Sequence, residues 1–247
     1  NKLKNEIALT FDDGLLCQYK LALPILNKYN IEAGWGICSA PIENIPIFLE
    51  IYKYFQHLYF ENDNEFYNMF YNIILSNIDY KNYRKELNNI ENINNYRKNL
   101  KFYTFNDRKF RYLRDFMANT SDFEKIIKIM MNMKGCNNNL MINKIWINKE
   151  QLKKLSETQY ICSHSHTHPT TLHKLSYKEQ EEEIKESVNI IENIINKIIT
   201  IFCCPCDNFN KDTINILKKV NIICLAGKDI GNEKYAIQRI DYNEFIK

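Results

Sequence analysis

The sequence predicts an α/β fold, a parallel sheet or barrel interrupted by a helical insertion, on three observations. Short strand-like and helix-like segments alternate through residues 1–40 and again through 140–247, as in chains of βαβ units. The stretch between them, 45–140, holds 20 of the 30 Tyr and Phe residues, where an even spread would give about 12. The two clusters richest in reactive side chains directly follow predicted strands, where parallel α/β folds hold their active sites.

In order along the chain, Ile7, Leu9 and Phe11 alternate with Ala8 and Thr10, the period of a strand, and Asp13-Gly14 closes it. Leu21 to Tyr29 has helical spacing, with Pro24 read as a break or a first turn. Ile31 to Cys38 is a second strand, carrying Gly34 and Gly36. In the insertion, Phe48, Tyr52, Phe55 and Tyr59 recur at steps of three and four, as do Phe123, Ile126, Ile127 and Met130, so this region reads as folded helix and not as a linker. Beyond it, Ile145 to Leu155 reads as a short helix and Tyr160 to Ser163 as a strand. Ser176 and Glu179 have the spacing of a capping box. They open a helix whose Ile184, Val188, Ile191, Ile195 and Ile198 form one apolar face. Strands at 200–204, 222–226 and 236–240 and a helix at 213–220 complete the pattern. Residues 1–247 thus read as a single domain with 45–140 inserted.

Composition narrows the function. The hydrophobic share is 45% and the charged share 26%, ordinary for a globular chain with a real core. Lys and Arg exceed Asp and Glu by 33 to 30, too little for a dedicated nucleic-acid binder. No apolar run approaches the roughly 18 residues that a membrane-crossing helix needs. Eight cysteines in 247 residues, with Cys17, Cys38, Cys136 and Cys162 isolated, favour a reducing, cytoplasmic setting over a disulfide framework.

The first reactive cluster is Thr10-Phe11-Asp12-Asp13-Gly14. Neighbouring side chains at a strand end point in different directions, so one carboxylate can bind a metal while the other acts as a base. The plain alternative is an Asp-Gly turn. The second is Ser163-His164-Ser165-His166-Thr167-His168-Pro169, with three of the five His within five residues. Pro169 pushes His168 toward extended backbone and the segment toward a turn. Two imidazoles and a carboxylate make the open three-ligand site of a hydrolytic metal. The plain alternative is a loop of solvated histidines. Cys203-Cys204-Pro205-Cys206 also contains a C-x-x-C, but too little chain follows for a thioredoxin-like domain and no second pair completes a zinc site.

TFDDG followed by SHSHTHP, a leucine and a capped helix resembles the polysaccharide deacetylases, the NodB-homology or carbohydrate esterase family 4 group. The resemblance implies an irregular (β/α) barrel of about seven strands. It implies Asp12 as catalytic base and Asp13, His164 and His168 as ligands of one divalent metal ion, zinc before others. The implied activity removes acetyl groups, N-acetyl above all, from an acetylated sugar of a surface polysaccharide or its precursor. Pro205 and Cys206 stand where the family completes an oxyanion hole, with Cys206 in place of an aromatic residue and no arginine just before. The family's later histidine, the acid for the leaving amine, has no counterpart, since no His follows His173. Arg239 or Asp229 near the last strands can contribute, and His166 and Arg239 join Pro205 and Cys206 as candidate substrate contacts. With two supporting motifs degraded, the alternative is a catalytically impaired, deacetylase-like carbohydrate-binding protein.

Residues 81–114 hold ten Lys and Arg against three Asp and Glu, interleaved with Tyr83, Tyr96, Phe102, Tyr103, Phe105, Phe110 and Tyr112. The plain reading is a solvated face over an aromatic core. The functional reading is a lid that stacks sugar rings and attracts a phosphate- or lipid-linked substrate, with peripheral membrane contact through 81–114. The metal site leaves nucleic acid without a purpose as partner.

Overall fold

The computed structural model describes residues 7–98, 102–117, 121–136, 142–227 and 233–240. The chain divides into two compact units, one formed by residues 1–47 and 141–247 and the other by 48–140.

The first unit begins with β1 (Thr10–Phe11), α1 (Leu16–Lys28) and β2 (Gly34–Ile37). The first strand is shorter than its alternation suggests, and Ile7 is 91% exposed. Pro24 does not break the helix; it lies inside α1, which absorbs the loss of one backbone donor. A tight turn joins β1 to α1 through Asp13 and Gly14, at φ 75° and 66°. Glycine is required at the second position, where a Cβ would be strained and would also meet the Ile37 side chain at 3.2 Å.

The second unit contains α2 (Phe48–Tyr59), α3 (Asp63–Ser76), α4 (Arg84–Leu87), α5 (Ile90–Asn95), α6 (Phe105–Phe116) and α7 (Asp122–Met133). Its core is aromatic. Phe110 packs against Tyr52, Phe66, Tyr67, Phe70 and Phe123 at ring separations of 4.8–6.0 Å. The helical steps in the sequence fit this packing: Tyr52 and Phe55 from α2 and Ile126, Ile127 and Met130 from α7 are buried. Several cations of the basic stretch lie on the unit's own rings, Lys109 over Tyr71 and Arg111 over Tyr103. Arg114 donates to the Tyr52 hydroxyl and pairs with Asp115.

Returning to the first unit, the chain forms α8 (Ile142–Ile145) and α9 (Lys149–Leu155), then β3 (Tyr160–Ser163), α10 (Tyr177–Ile195), β4 (Ile201–Cys203), α11 (Lys211–Lys219), β5 (Ile223–Ala226) and β6 (Ala236–Gln238). The single helix read at 145–155 is split, because Trp146 bridges to Leu15 and the Asn148 side chain caps a fresh start. The capping box of α10 is made: Glu179 N–H donates to Ser176 Oγ, and Ser176 N–H to Glu179 Oε2 at 2.8 Å. The helix ends at Asn196, in the left-handed region, which drops Ile198 off the apolar face and leaves it 82% exposed.

Six strands form one parallel sheet in chain order, β1 to β6. The architecture is the expected NodB-like α/β half-barrel surrounded by helices, with six strands among the described residues in place of about seven. Its apolar interior falls into two main clusters. One joins Trp35, Ile37 and Ile161 of the sheet to Leu16, Leu26, Leu155 and Ile191. The other joins Phe202 and Cys224 to Ile184, Ile214 and Leu217. Each such fully buried side chain contributes about 1.5–3 kcal/mol. Trp35 is stacked on Phe11 at 4.7 Å, and its indole N–H donates to Gln159 Oε1. Among the described residues no helix is long and apolar enough to cross a membrane.

Candidate active site

All strands run parallel, so their C-terminal ends share one rim, and the reactive side chains collect there. Asp12 and Asp13 follow β1, Cys38 follows β2, His164 follows β3, Cys204 follows β4 and Arg239 follows β6.

Asp13 and the two outer histidines converge. The Nε2 atoms of His164 and His168 lie 3.5 and 3.3 Å from Asp13 Oδ1, and the two rings meet edge to face at 5.0 Å. His164 is 2% exposed, and its Nδ1 lies 2.8 Å from the Cys203 carbonyl. Only a protonated Nδ1 can donate there, so Nε2 is the nitrogen that would give up its proton and offer a lone pair to an ion. Burial works against charge on His164, but the Asp12 and Asp13 carboxylates and the Cys203 carbonyl outweigh it and push the imidazole up to about 9. Two imidazole nitrogens facing one carboxylate oxygen are the N₂O donor set that suits zinc and its first-row neighbours. The residues fit a divalent ion. Cys38 lies beside them, its Sγ within 4.8 Å of ligand atoms of Asp13 and His164.

The segment carrying these histidines is a turn, as its sequence suggests, but His168 is not extended. It has φ 58°, and Ser165 has φ 66°. Histidine tolerates this region better than most residues, and the His168 N–H is held by Ser165 Oγ at 3.1 Å.

Asp12 turns the other way. Arg239 grips its carboxylate with two parallel bonds, Nη1 to Oδ1 at 2.8 Å and Nη2 to Oδ2 at 2.9 Å. Burial is the largest single influence on Asp12 and raises its pKa; the charges of His164 and Arg239 and the guanidinium hydrogen bonds together hold it below the ordinary carboxylate value. Arg239 stays charged, because its pairing with Asp12 outweighs its burial. Arg239 Nη1 also reaches Thr10 Oγ1 at 3.3 Å, so one side chain connects the ends of the first and last strands. That requires the sheet to curl. Gly36 lies under the carboxylate, where a Cβ would sit 3.0 Å from Asp12 Oδ1 and 3.2 Å from Cys203.

The remaining candidates separate. His166 is buried but faces elsewhere, with Nδ1 2.8 Å from Ser39 Oγ and Nε2 3.7 Å from Glu186. It joins Glu43 and Glu186, not the Asp13 cluster. Pro205 and Cys206 follow β4 in a short turn, with Pro205 buried and Cys206 exposed at φ 52°. Asp229 lies outside the described residues. The C-x-x-C does not act as a pair: the Cys203 thiol shares a hydrogen bond with Cys162, and that bond and burial push its pKa well up. All eight cysteines are thiols.

Sequence reasoning missed Cys38 and Glu183, and it named Arg239 as a substrate contact without its bond to Asp12. Cys38 had been counted as isolated, and the grip of Arg239 on Asp12 spans 227 residues of chain. Glu183, read only as part of a helix, bonds the backbone N–H groups of His166 and Thr167 at 3.0 and 2.9 Å. No local spacing signals any of these, because each depends on how strands and helix are stacked.

Comparison with known proteins follows the same lines. No curated protein sequence matches the chain. Among solved structures, the Streptococcus pyogenes deacetylase PplD in complex with acetate is similar at 15% identity and a TM-score of 0.52. The match covers 97% of this chain and 65% of that one, so the chain spans just under two thirds of its length. The BpsB deacetylase domain from Bordetella bronchiseptica is similar at 14% identity and a TM-score of 0.50, covering 95% of this chain and 70% of that one. At these identities the likeness concerns the fold. The sequence profile for "Polysaccharide deacetylase" matches residues 94–224, just over half of the chain and inclusive of the histidine segment. By that match and the fold that carries it, the chain belongs to the polysaccharide deacetylase family.

Proposed function

We propose that this protein is a metal-dependent deacetylase that hydrolyses an acetyl group, N-linked before O-linked, on an acetylated sugar. The observation that supports this most is the division of labour at the end of β1. Asp13 Oδ1 faces both His Nε2 atoms, while Asp12 beside it is held apart by Arg239.

Asp13, His164 and His168 would hold the ion. A divalent ion there supplies Lewis acidity, which polarises the acyl carbonyl and acidifies water. Asp12 is the general base. Arg239 keeps it ionised and fixes its direction, so that it accepts a proton from water as the new C–O bond forms. That grip also makes Asp12 a weaker base, so its effectiveness rests on placement. The departing nitrogen needs a proton in turn. No histidine follows His173, and Asp12, once protonated, is the group we assign to return it. An O-acetyl ester, whose leaving group demands an acid less, would be cleaved faster than the amide.

The test is acetate release from an acetylated chitooligosaccharide, with and without added zinc, by the wild-type protein and by Asp12→Asn. The variant should bind metal as the wild type does and lose turnover by 10²-fold or more, within the range for a lost general base. A fully active Asp12→Asn protein, or wild-type turnover unaffected by chelation, would refute the assignment.

A further inference from the structure

We propose that Glu183 is a positioning residue for the metal ligands, a carboxylate on α10 that sets the shape of the loop carrying His164 and His168. The inference rests on the reading of Asp13, His164 and His168 as ligands and adds what holds two of them in register.

The loop from His164 to His168 has left-handed residues at both Ser165 and His168, a conformation that L-residues adopt only when their surroundings enforce it. The hydrogen bonds identify what enforces it. His164 N–H is fixed by the Ile37 carbonyl at 2.9 Å, and His168 N–H by Ser165 Oγ at 3.1 Å. Between them, His166 N–H and Thr167 N–H converge on the same oxygen, Glu183 Oε2, at 3.0 and 2.9 Å. Consecutive backbone N–H groups turned toward one point form a nest that attracts an anion, and here the protein fills it with its own carboxylate. The second oxygen, Oε1, accepts from the Thr167 hydroxyl. One side chain therefore takes three hydrogen bonds from two adjacent residues.

The platform behind Glu183 is rigid. Its neighbour Ile184 is fully buried in the core. Ser187, one turn further along α10, bonds Ser163 at the end of β3. From the other side, the Ser165 and His166 carbonyls are tied to the N–H groups of Ser39 and Ala40. Glu183 and the segment after β2 thus hold the loop from two sides. Without the carboxylate, the two N–H groups turn to water and the loop is released to other φ values. The Nε2 of His168 then no longer faces Asp13 Oδ1 at a fixed distance.

Glutamine separates shape from charge. Its carbonyl can accept both N–H groups, and its amide can donate to the Thr167 oxygen, so Glu183→Gln should keep the loop. Glu183→Ala cannot. The experiment titrates the apo protein and both variants with Zn²⁺ by calorimetry and records the visible spectrum of each Co²⁺-substituted form. Glu183→Ala should fold, by far-UV circular dichroism, and bind Zn²⁺ about 10- to 100-fold more weakly, the usual loss when the group orienting a metal ligand is removed. Its Co²⁺ bands should shift or weaken. Glu183→Gln should stay within about threefold of wild type with an unchanged spectrum, as expected where the orienting bonds survive. If Glu183→Ala does not fold, Thr167→Val, which removes one of the three bonds at an exposed residue, should show a weakened affinity in the same direction. Wild-type affinity and spectrum in Glu183→Ala, or in Thr167→Val where that stands in, overturns the proposal; so does a loss in Glu183→Gln equal to that in Glu183→Ala. A wild-type protein that binds no metal would instead refute the ligand reading beneath it.

Discussion

Replacing Arg239 by Met should destabilise the protein and move the acid limb of its activity upward. Both consequences follow from a single ion pair. The guanidinium makes two bonds of 2.8 and 2.9 Å to Asp12, with the two side chains 18% and 30% exposed. A hydrogen bond to a charged group contributes about 1.5–3 kcal/mol, and stranding one partner of a fully buried pair costs about 3–5 kcal/mol. The residual exposure of Asp12 lets water replace part of the loss, so about 2–3 kcal/mol is expected. At roughly 2–4 °C per kcal/mol for a chain of this size, Tm should fall by about 4–12 °C. The pH dependence has a definite sign. The Asp12 pKa is lowered in the folded state, so its contribution is present above the unfolded carboxylate value and is lost as pH falls through the lowered one. Without Arg239, Asp12 protonates at a higher pH, and the acid limb of kcat/KM should shift to higher pH in the same variant. Arg239→Lys should fall between, since an ammonium keeps the charge but cannot make the parallel pair. Thermal denaturation at neutral pH and a kcat/KM profile on one acetylated substrate are sufficient assays. A Tm within about 1 °C of wild type together with an unmoved acid limb would show that the pair neither supports the fold nor tunes the base.

Two further outcomes follow from the ligand geometry. His164→Ala and His168→Ala should each abolish stoichiometric metal binding while leaving the far-UV spectrum intact; full metal occupancy in either would remove that histidine from the ligand set. Metal uptake should also release protons, because His164 in the apo protein is raised to about 9 and must lose its proton to bind. About one proton per ion is expected near pH 7.5, read from the buffer dependence of the calorimetric enthalpy, with affinity rising about tenfold per pH unit below 9 and levelling above it. The apo protein carries the opposite sign: stability from protonated His164 is full below the unfolded value near 6.5 and fades as pH rises through about 9. A pH-independent affinity between 6 and 9 would show that His164 binds metal without giving up a proton.

Much of this protein was determined by short stretches of sequence. TFDDG and SHSHTHP are each contiguous, so their clustered carboxylates and imidazoles need only a strand and a turn to become a site, and both were legible without knowledge of the fold. The capping box at Ser176, the strand at Tyr160–Ser163 and the aromatic steps of α2 and α7 are equally local, because backbone periodicity and one-turn contacts decide them. Tertiary structure decided what those stretches do to one another. The middle histidine of three looks equivalent to its neighbours, yet left-handed turns at Ser165 and His168 send His166 to Ser39 and the outer two to Asp13. The missing upstream arginine looks like a degraded site, yet the curl of a parallel sheet carries Arg239 from the last strand to the first and clamps Asp12. Glu183 and Cys38 reach the site only through the packing of α10 and β2 against β3. Sequence spacing describes which side chains share an element, whereas charge pairing and hydrogen bonding act through space and depend on how those elements are stacked.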